Sequence, residues 1–249
     1  MGLFYAFIQC FESKQGIPLI IDFHTHILPC IDDGSRNVET SLEMITASKE
    51  QGVEWLVATP HFYATRDRVD GFLSRRSESW ETLSQRLTPE LPRITLGAEV
   101  AFFRGISKAE RLNALSIDGT NSLLLEMPFR EWSKDTVDEV EKLIDRGFNI
   151  ILAHIERYLS MRENAAYVEQ LLEMPLMTQI NAEGLLDWRQ RGRLIKMVKN
   201  GQVQILGSDC HGMEHRPPNL GEGRRVLLNK LGQEYLDEID RCSERLLLG

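Results

Sequence analysis

Seven short runs of apolar and β-branched residues punctuate the chain, at 19–23, 53–59, 93–97, 122–126, 149–153, 176–180 and 203–207. Each is apolar nearly throughout rather than at alternate positions, as expected of strands covered on both faces. Between several of them the spacing turns helical. Val137, Val140, Leu143 and Ile144 form one stripe, with Ser133 as an N-cap before it and Gly147 as a stop after it. Segments 38–51 and 188–200 end in the same way at Gly52 and Gly201, and the stretch holding Arg241, Cys242 and Arg245 predicts a C-terminal amphipathic helix. Strands alternating with helices predict an α/β fold with a parallel sheet, and a barrel is preferred over a doubly wound sheet. No linker or repeat interrupts the pattern, so residues 19–249 read as a single domain.

Composition narrows the classes of function. The 249 residues are 42% hydrophobic and 27% charged, which excludes collagen-like, coiled-coil and disordered chains. Acidic residues outnumber basic ones 37 to 29, and a net charge of −8 argues against nucleic acid as a bulk partner. The longest apolar run, 3–8, is far short of the ~20 residues that span a bilayer, so no membrane insertion is expected. That run has neither a basic segment before it nor a small-residue cleavage site after it. The cysteines (Cys10, Cys30, Cys210, Cys242) form no C-x-x-C pair, which fits a reducing, cytoplasmic setting.

The polar residues of interest all fall at strand ends. Asp22, His24 and His26 overlap or follow the first run, His61 follows the second and Glu99 the third. Glu126 ends the fourth, His154 follows the fifth, Asn181 the sixth, and Asp209 with His211 the seventh. In a parallel barrel these ends converge on one mouth. His24-Thr25-His26 is an H-x-H whose two rings can grip one ion. Counting Asp33, nine candidate ligands are too many for one ion and predict two or three. Mixed imidazole and carboxylate donors suit Mn²⁺, Fe²⁺ or Zn²⁺. Cys30 to Arg36 and Cys210 to Arg216 both satisfy the C-x₅-R spacing of thiol-dependent phosphatases. Asp32 and Asp33 beside the first would repel phosphate and raise the thiol pKa, so both cysteines read as buried fillers. Asn181 is expected to serve backbone hydrogen bonding at the mouth, and His215 to have no role.

The stretches DFHTHILPCIDDGS, ATPHFY, GAEV, LLLEMP, AHIERY and GSDCH resemble the successive motifs of the PHP (polymerase and histidinol phosphatase) superfamily. More closely they resemble its bacterial metal-dependent protein-tyrosine phosphatases, found with capsule and exopolysaccharide genes. The resemblance implies a distorted (β/α)7 TIM-like barrel with its site at the C-terminal ends of the strands and a trinuclear, commonly manganese, centre. His24, His26, Glu99 and Asp209 would hold the first ion. Glu99 would bridge to a second, completed by Glu126 and His154, and Asp33, His61 and His211 would hold the third. Arg157 and Arg216 match arginines that bind the substrate phosphate. The first motif of such proteins lies near the initiating Met, so residues 1–18 read as an added N-terminal extension.

The expected activity is hydrolysis of phosphotyrosine on a protein by a metal-bound hydroxide, with no protein nucleophile. By resemblance the partner is the tyrosine-rich tail of a bacterial tyrosine kinase controlling polysaccharide export. A small-molecule phosphatase of the histidinol-phosphatase type is the alternative enzyme. A kinase-docking module that keeps metal for stability only is the non-catalytic alternative.

Overall fold

Every strand pairing is parallel because crossovers return the chain to the same end of the sheet before each new strand line begins. The computed structural model describes Gly16 and residues 18–248, so the expected extension 1–18, apart from Gly16 and Pro18, lies outside the described residues, as does Cys10. One sheet has the order β1 (Ile21–Thr25), β2 (Trp55–Ala58), β4 (Arg93–Leu96). The second runs β3 (His61–Phe62), β5 (Glu99–Ala101), β6 (Ser122–Glu126), β7 (Asn149–Leu152), β8 (Met177–Asn181), β9 (Ile205–Gly207).

The two sheets are continuous through the chain. Pro60 separates β2 from β3 and Gly97-Ala98 separates β4 from β5, yet Gly97 N donates to Ala58 O (2.8 Å) and Glu99 N to Pro60 O (3.0 Å) across the break. Proline has no N–H to offer the ladder, so the strand kinks there and resumes. The sheet then curls until its last strand meets its first. Asp209 N donates to His24 O (2.8 Å) and His26 N to Cys210 O (3.0 Å). The seven expected strands are thus present as a distorted (β/α)7 barrel, with the second and third each broken in two. β1 starts two residues later than its apolar run, because the pairing with β2 extends through the histidine-bearing segment to Thr25.

Helices α1 (Val38–Glu50), α2 (Val69–Ser84), α3 (Lys134–Asp145), α5 (Ala165–Leu172), α7 (Arg191–Lys199) and α8 (Leu220–Leu231) follow the strands, with two short helices, α4 (Ile155–Tyr158) and α6 (Ala182–Leu186), at the mouth. Asn37 caps α1 by accepting from Thr40 N (2.8 Å), and α3 starts at Ser133 and stops at Gly147 (φ 88°), as read from the sequence. α7 starts later than the expected 188, because Asp187 Oδ1 accepts from Arg189 N (3.0 Å) and folds 187–189 into a turn. Inside the barrel, Phe23, Val57, Leu124, Ile151 and Ile205 form their own cluster. α9 (Gln233–Leu248), the expected C-terminal helix, packs Cys242, Leu246 and Leu247 on this cluster with Leu19, Trp55 and Met177 from the strands' N-terminal ends. α9 and these residues therefore plug the barrel at the strands' N-terminal ends.

Candidate metal centre

All nine expected ligands reach the mouth. Donor atoms of seven of them form three overlapping groups, each within 4.8 Å: His24, His26, Glu99 and Asp209; His61, Glu99 and Glu126; and His26, His61 and His211. His154 Nε2 joins the second group, 2.8 Å from Glu99 Oε1 and 3.6 Å from Glu126 Oε1. Asp33 Oδ1 joins the third, 3.5 Å from His61 Nε2 and 3.6 Å from His211 Nε2. Asp33 is 70% exposed and forms the rim, whereas His24, His26 and His154 have no exposed surface.

Local backbone choices deliver these side chains. His154 (φ 36°) and Asp209 (φ 54°) sit in the left-handed region directly beyond β7 and β9, a strained conformation for non-glycine residues that turns the chain at the strand ends. Gly207 lets β9 approach His24, since a Cβ there would lie 2.6 Å from the His24 Cβ.

The second nitrogen of four rings is held from behind. His24 Nδ1 meets Gln179 Oε1 (3.2 Å), His26 Nδ1 meets Asp32 Oδ2 (2.7 Å), and His211 Nδ1 meets Asp209 O (2.9 Å). His154 Nδ1 meets the Tyr158 hydroxyl (3.3 Å), which itself accepts from Met127 N (2.8 Å). Each contact fixes a ring so that Nε2 faces the cluster, the outer support expected around metal-binding imidazoles.

The donor set fits divalent cations. Glu99 Oε2, Asp209 Oδ1, His61 Nδ1 and His211 Nε2 are buried without a well-formed hydrogen bond, although they face neighbouring donor atoms. Buried polar atoms left this way are costly, and one cation among them satisfies several at once. The electrostatics agree. Burial opposes ionisation of Glu99, yet the His24 charge and hydrogen bonds from His154, His24 and His26 hold it well below the usual carboxylate range. Asp209 is likewise held low against its burial by His24 and His26. Burial disfavours protonation of His154, but Glu126 and Glu99 raise it to about 9. The carboxylates thus demand positive charge.

Both expected phosphate-binding arginines converge on one of these carboxylates. Asp209 Oδ2 accepts from Arg157 Nη2 (2.7 Å) and Asn181 Nδ2 (2.8 Å) and forms an ion pair with Arg216 Nη2 (2.5 Å), while Oδ1 faces His24 and His26 at 3.4 Å each. The guanidinium side chains stay about one-third exposed, so each keeps donors free for an anion over the cluster. Beside them opens a cleft of about 460 Å³ lined by Phe129, Glu156, Arg157, Asn181 and Asp187 among others. Phe129 stacks on His154 and Tyr158 at 5.8 and 5.5 Å between ring centres, yet is 55% exposed. Burial pushes the Glu156 carboxyl up to about 7.

Some residues behave differently from the sequence reading. Asn181 bonds through its side chain to Asp209 and accepts from Gln179 Nε2 (2.8 Å), so it orients a ligand rather than tying down backbone. Asp32, weighed only as a charge that would repel phosphate, clamps His26 and accepts from His61 N (3.0 Å) and Gly34 N (2.9 Å). Gln179 and Tyr158 were not singled out; a polar residue inside an apolar strand run was the available signal for Gln179. Cys30 is exposed rather than buried, and its Sγ donates to the Arg36 carbonyl, not to a guanidinium. Cys210 is fully buried, and burial pushes its thiol up to about 12, which leaves no thiolate for attack. Asp22 belongs to none of the three groups and accepts from Ser208 N (2.8 Å), and His215 is exposed.

Fold and site together define an α/β barrel protein with a candidate polynuclear metal centre at its mouth. The chain belongs to the capsular polysaccharide synthesis CpsB/CapC family, whose model matches residues 20–248. It is 26% identical to the tyrosine-protein phosphatase CpsB of Streptococcus agalactiae serotype III over 234 residues, covering 88% of this chain and 94% of the relative. It is 27% identical to the tyrosine-protein phosphatase YwqE of Bacillus subtilis, covering 92% of this chain and 91% of the relative. Its fold matches a chain from crystal structures of Bacillus subtilis YwqE and Streptococcus pneumoniae CpsB, described as metal-dependent tyrosine phosphatases. That match has a TM-score of 0.77 at 24% identity and covers 92% and 94% of the two chains. A phosphotriesterase homology protein of Escherichia coli matches more distantly, with a TM-score of 0.53, 10% identity and coverage of 92% and 99%. No helix among the described residues is long and apolar enough to cross a membrane.

Proposed function

We propose that this protein is a metal-dependent phosphatase that removes phosphate from phosphotyrosine in a protein. The observation that carries the reading is the convergence of nine ligand residues and two guanidinium groups on one open mouth, with Asp209 shared between them. His24, His26, Glu99 and Asp209 would hold one ion, Glu99, Glu126 and His154 a second, and Asp33, His61 and His211 a third; these mixed donors suit Mn²⁺, Fe²⁺ or Zn²⁺, and the family resemblance favours Mn²⁺. Divalent ions bound there would supply an acidified water at neutral pH and positive charge for the phosphate oxygens.

The chain's own residues do the rest. Arg157 and Arg216 bind the non-bridging oxygens of the phosphate and hold them as charge redistributes in the transition state. Asp209, fixed by these arginines and Asn181, keeps the guanidinium groups in register with the cluster. Phe129 lies where the substrate's aryl ring leaves the phosphate and offers it a stacking face. The departing phenol, with a pKa of about 10, needs little protonation, so no protein acid is assigned. Asp32, Gln179 and Tyr158 keep the imidazoles aimed inward throughout.

The partner by this reading is a cytoplasmic tyrosine kinase that regulates capsular or exopolysaccharide synthesis, dephosphorylated on its tyrosine-rich tail. The test is metal analysis of the purified protein together with turnover of a phosphotyrosine peptide and of histidinol phosphate. Two or three ions per chain and a strong preference for the peptide are expected. A preference for histidinol phosphate, or a metal-loaded protein inert to aryl phosphates, overturns the reading.

A further inference from the structure

A second cavity, of about 490 Å³, opens beside the metal centre and is lined by Phe102, Arg104, Lys108, Arg130, Asp135 and Lys142 among others. Its walls grow directly out of the strands that carry two ligands. Phe102 follows β5, which bears Glu99, and its N–H donates to the carbonyl of Glu126 (2.8 Å) at the end of β6. Arg130 lies in the loop after β6, next to Phe129, so neighbouring residues of one loop face the two cavities.

The charge of this cavity opposes that of the molecule. Arg104, Lys108 and Arg130 are exposed, and none of them makes an ion pair with another described residue. Of the two acids that line it, Glu139 is already used: it is buried, accepts from Ser107 N (3.0 Å) and pairs with Lys142 (3.4 Å). Asp135 sits in the first turn of α3, where it complements the helix dipole. Three free cations thus face a concave surface on a protein of net charge −8.

The walls are also rigid. Glu139 clamps the backbone of Ser107, and Arg146 of α3 donates to the carbonyls of Ser107 and Ala109. The 102–109 loop that bears Arg104 and Lys108 is therefore nailed to α3. On the facing wall, Asn164 Nδ2 donates to Arg130 O (3.0 Å) and Asn164 Oδ1 accepts from Trp132 N (2.8 Å). Long cationic side chains lose less on binding when their backbone is fixed beforehand. The first cavity, on the Phe129 side of the same loop, has Glu156, Glu183 and Asp187 beside its single cation Arg157.

We infer that the cavity of Arg104, Lys108 and Arg130 is a subsite for an anionic side chain of the peptide substrate, placed beside the scissile phosphotyrosine. This rests on the proposed phosphatase activity and adds to it a substrate class: segments that carry further phosphate or carboxylate groups on one side of the reactive tyrosine. The first cavity offers Arg157 to the reactive phosphate and has only acids as its other charged residues, so a second anionic side chain is favoured on the Arg104 side, which sets the direction in which a peptide lies.

The test uses the metal-loaded full chain, p-nitrophenyl phosphate and three phosphotyrosine peptides differing only in their flanks: neutral, aspartate-containing, and bearing a second phosphotyrosine. The wild type is expected to bind both anionic peptides more tightly than the neutral one by fluorescence anisotropy, with a correspondingly lower KM. Exposed charge contacts are worth up to about fivefold each. The Arg104→Ala/Arg130→Ala double variant should therefore lose several-fold, up to about 25-fold, in kcat/KM on the anionic peptides, and the gap should shrink at high salt. Turnover of p-nitrophenyl phosphate should stay within twofold, which a disturbed metal centre would not allow. A preference confined to the second phosphotyrosine identifies phosphate as the group read, and one shared with aspartate identifies simple charge; either supports the inference. Equal affinity for all three peptides, or losses of equal size on neutral and anionic peptides in the double variant, overturns it while leaving the phosphatase reading intact. A wild type inert to every aryl phosphate overturns the phosphatase reading and with it this inference.

Discussion

Replacing Asp32 by alanine removes no ligand, yet it should loosen the metal centre. The Asp32 carboxylate accepts from His26 Nδ1 (2.7 Å), His61 N (3.0 Å) and Gly34 N (2.9 Å), and its side chain is only 5% exposed. Its loss frees the ring of His26 to rotate and releases the backbone that presents His61, two residues of one metal-sized group. Loss of such a support typically lowers metal affinity 10- to 100-fold, about 1.4–2.8 kcal/mol. Each donor left buried without its acceptor adds a stability cost of about 1–3 kcal/mol. Competitive titration with a chelator, followed by counting ions per chain, should show the most weakly held ion lost first. At saturating metal, kcat should return to within a few-fold of wild type, because Asp32 touches no substrate. Asp32→Asn, which keeps an acceptor oxygen, should fall between the two. An alanine variant that holds every ion as tightly as wild type would refute the claim that Asp32 orients His26 and His61.

Arg157→Ala and Arg216→Ala should each keep their metal, since two other donors stay on Asp209 Oδ2, but lose kcat/KM about 10- to 150-fold on aryl phosphates; full activity in either would remove that arginine from the phosphate site. Cys30→Ser and Cys210→Ser should both stay within a few-fold of wild type in steady-state assays, whereas a dead variant with its metals intact would reinstate a thiol mechanism. Arg224→Ala should destabilise the fold by about 3–5 kcal/mol in urea melts, because it strands the buried Asp240 that it grips through both Nη atoms across α8 and α9. Burial already lifts Asp240 above the ordinary carboxylate range despite Arg224, so the unpaired acid in the variant will hold its proton to higher pH in the folded than in the unfolded state. The variant's deficit should therefore shrink as pH falls, and a deficit independent of pH would contradict this account.

The barrel was legible because buried parallel strands write themselves as unbroken apolar runs, and the chemistry was legible because its residues stand at the ends of those runs. What the runs hide is continuity past an interruption. Pro60 and Gly97 end the apolar signal, but the ladder resumes at His61 and Glu99, placing both ligands within strands rather than beyond them. α2 and its buried Arg76, which donates to Gly97 O (2.8 Å), followed from no pattern that was read, since most of that helix is polar. Ligands were easier to find than their supports. A histidine at a strand end is conspicuous, whereas Asp32 and Gln179 act only through the ring they face, and that partnership exists only once the barrel has closed. Asn181 was placed correctly and given the wrong task for the same reason.

The seam between the first and last strands is also where His24 and His26 meet Asp209 and His211. An ion held there fastens the barrel across its own closure, joining stretches near opposite ends of the described chain. A partly folded chain that has built β1 to β8 already brings Glu99, Glu126 and His154 together but still lacks Asp209 and His211, so the cages that would hold ions at the seam are incomplete. Capture of the seam ions would then be a clock for the final step of folding, and the slower phase of ion uptake by refolding protein would measure how fast the barrel shuts. An ion bound only by the closed barrel stabilises it by mass action, so loading the seam would favour the shut form.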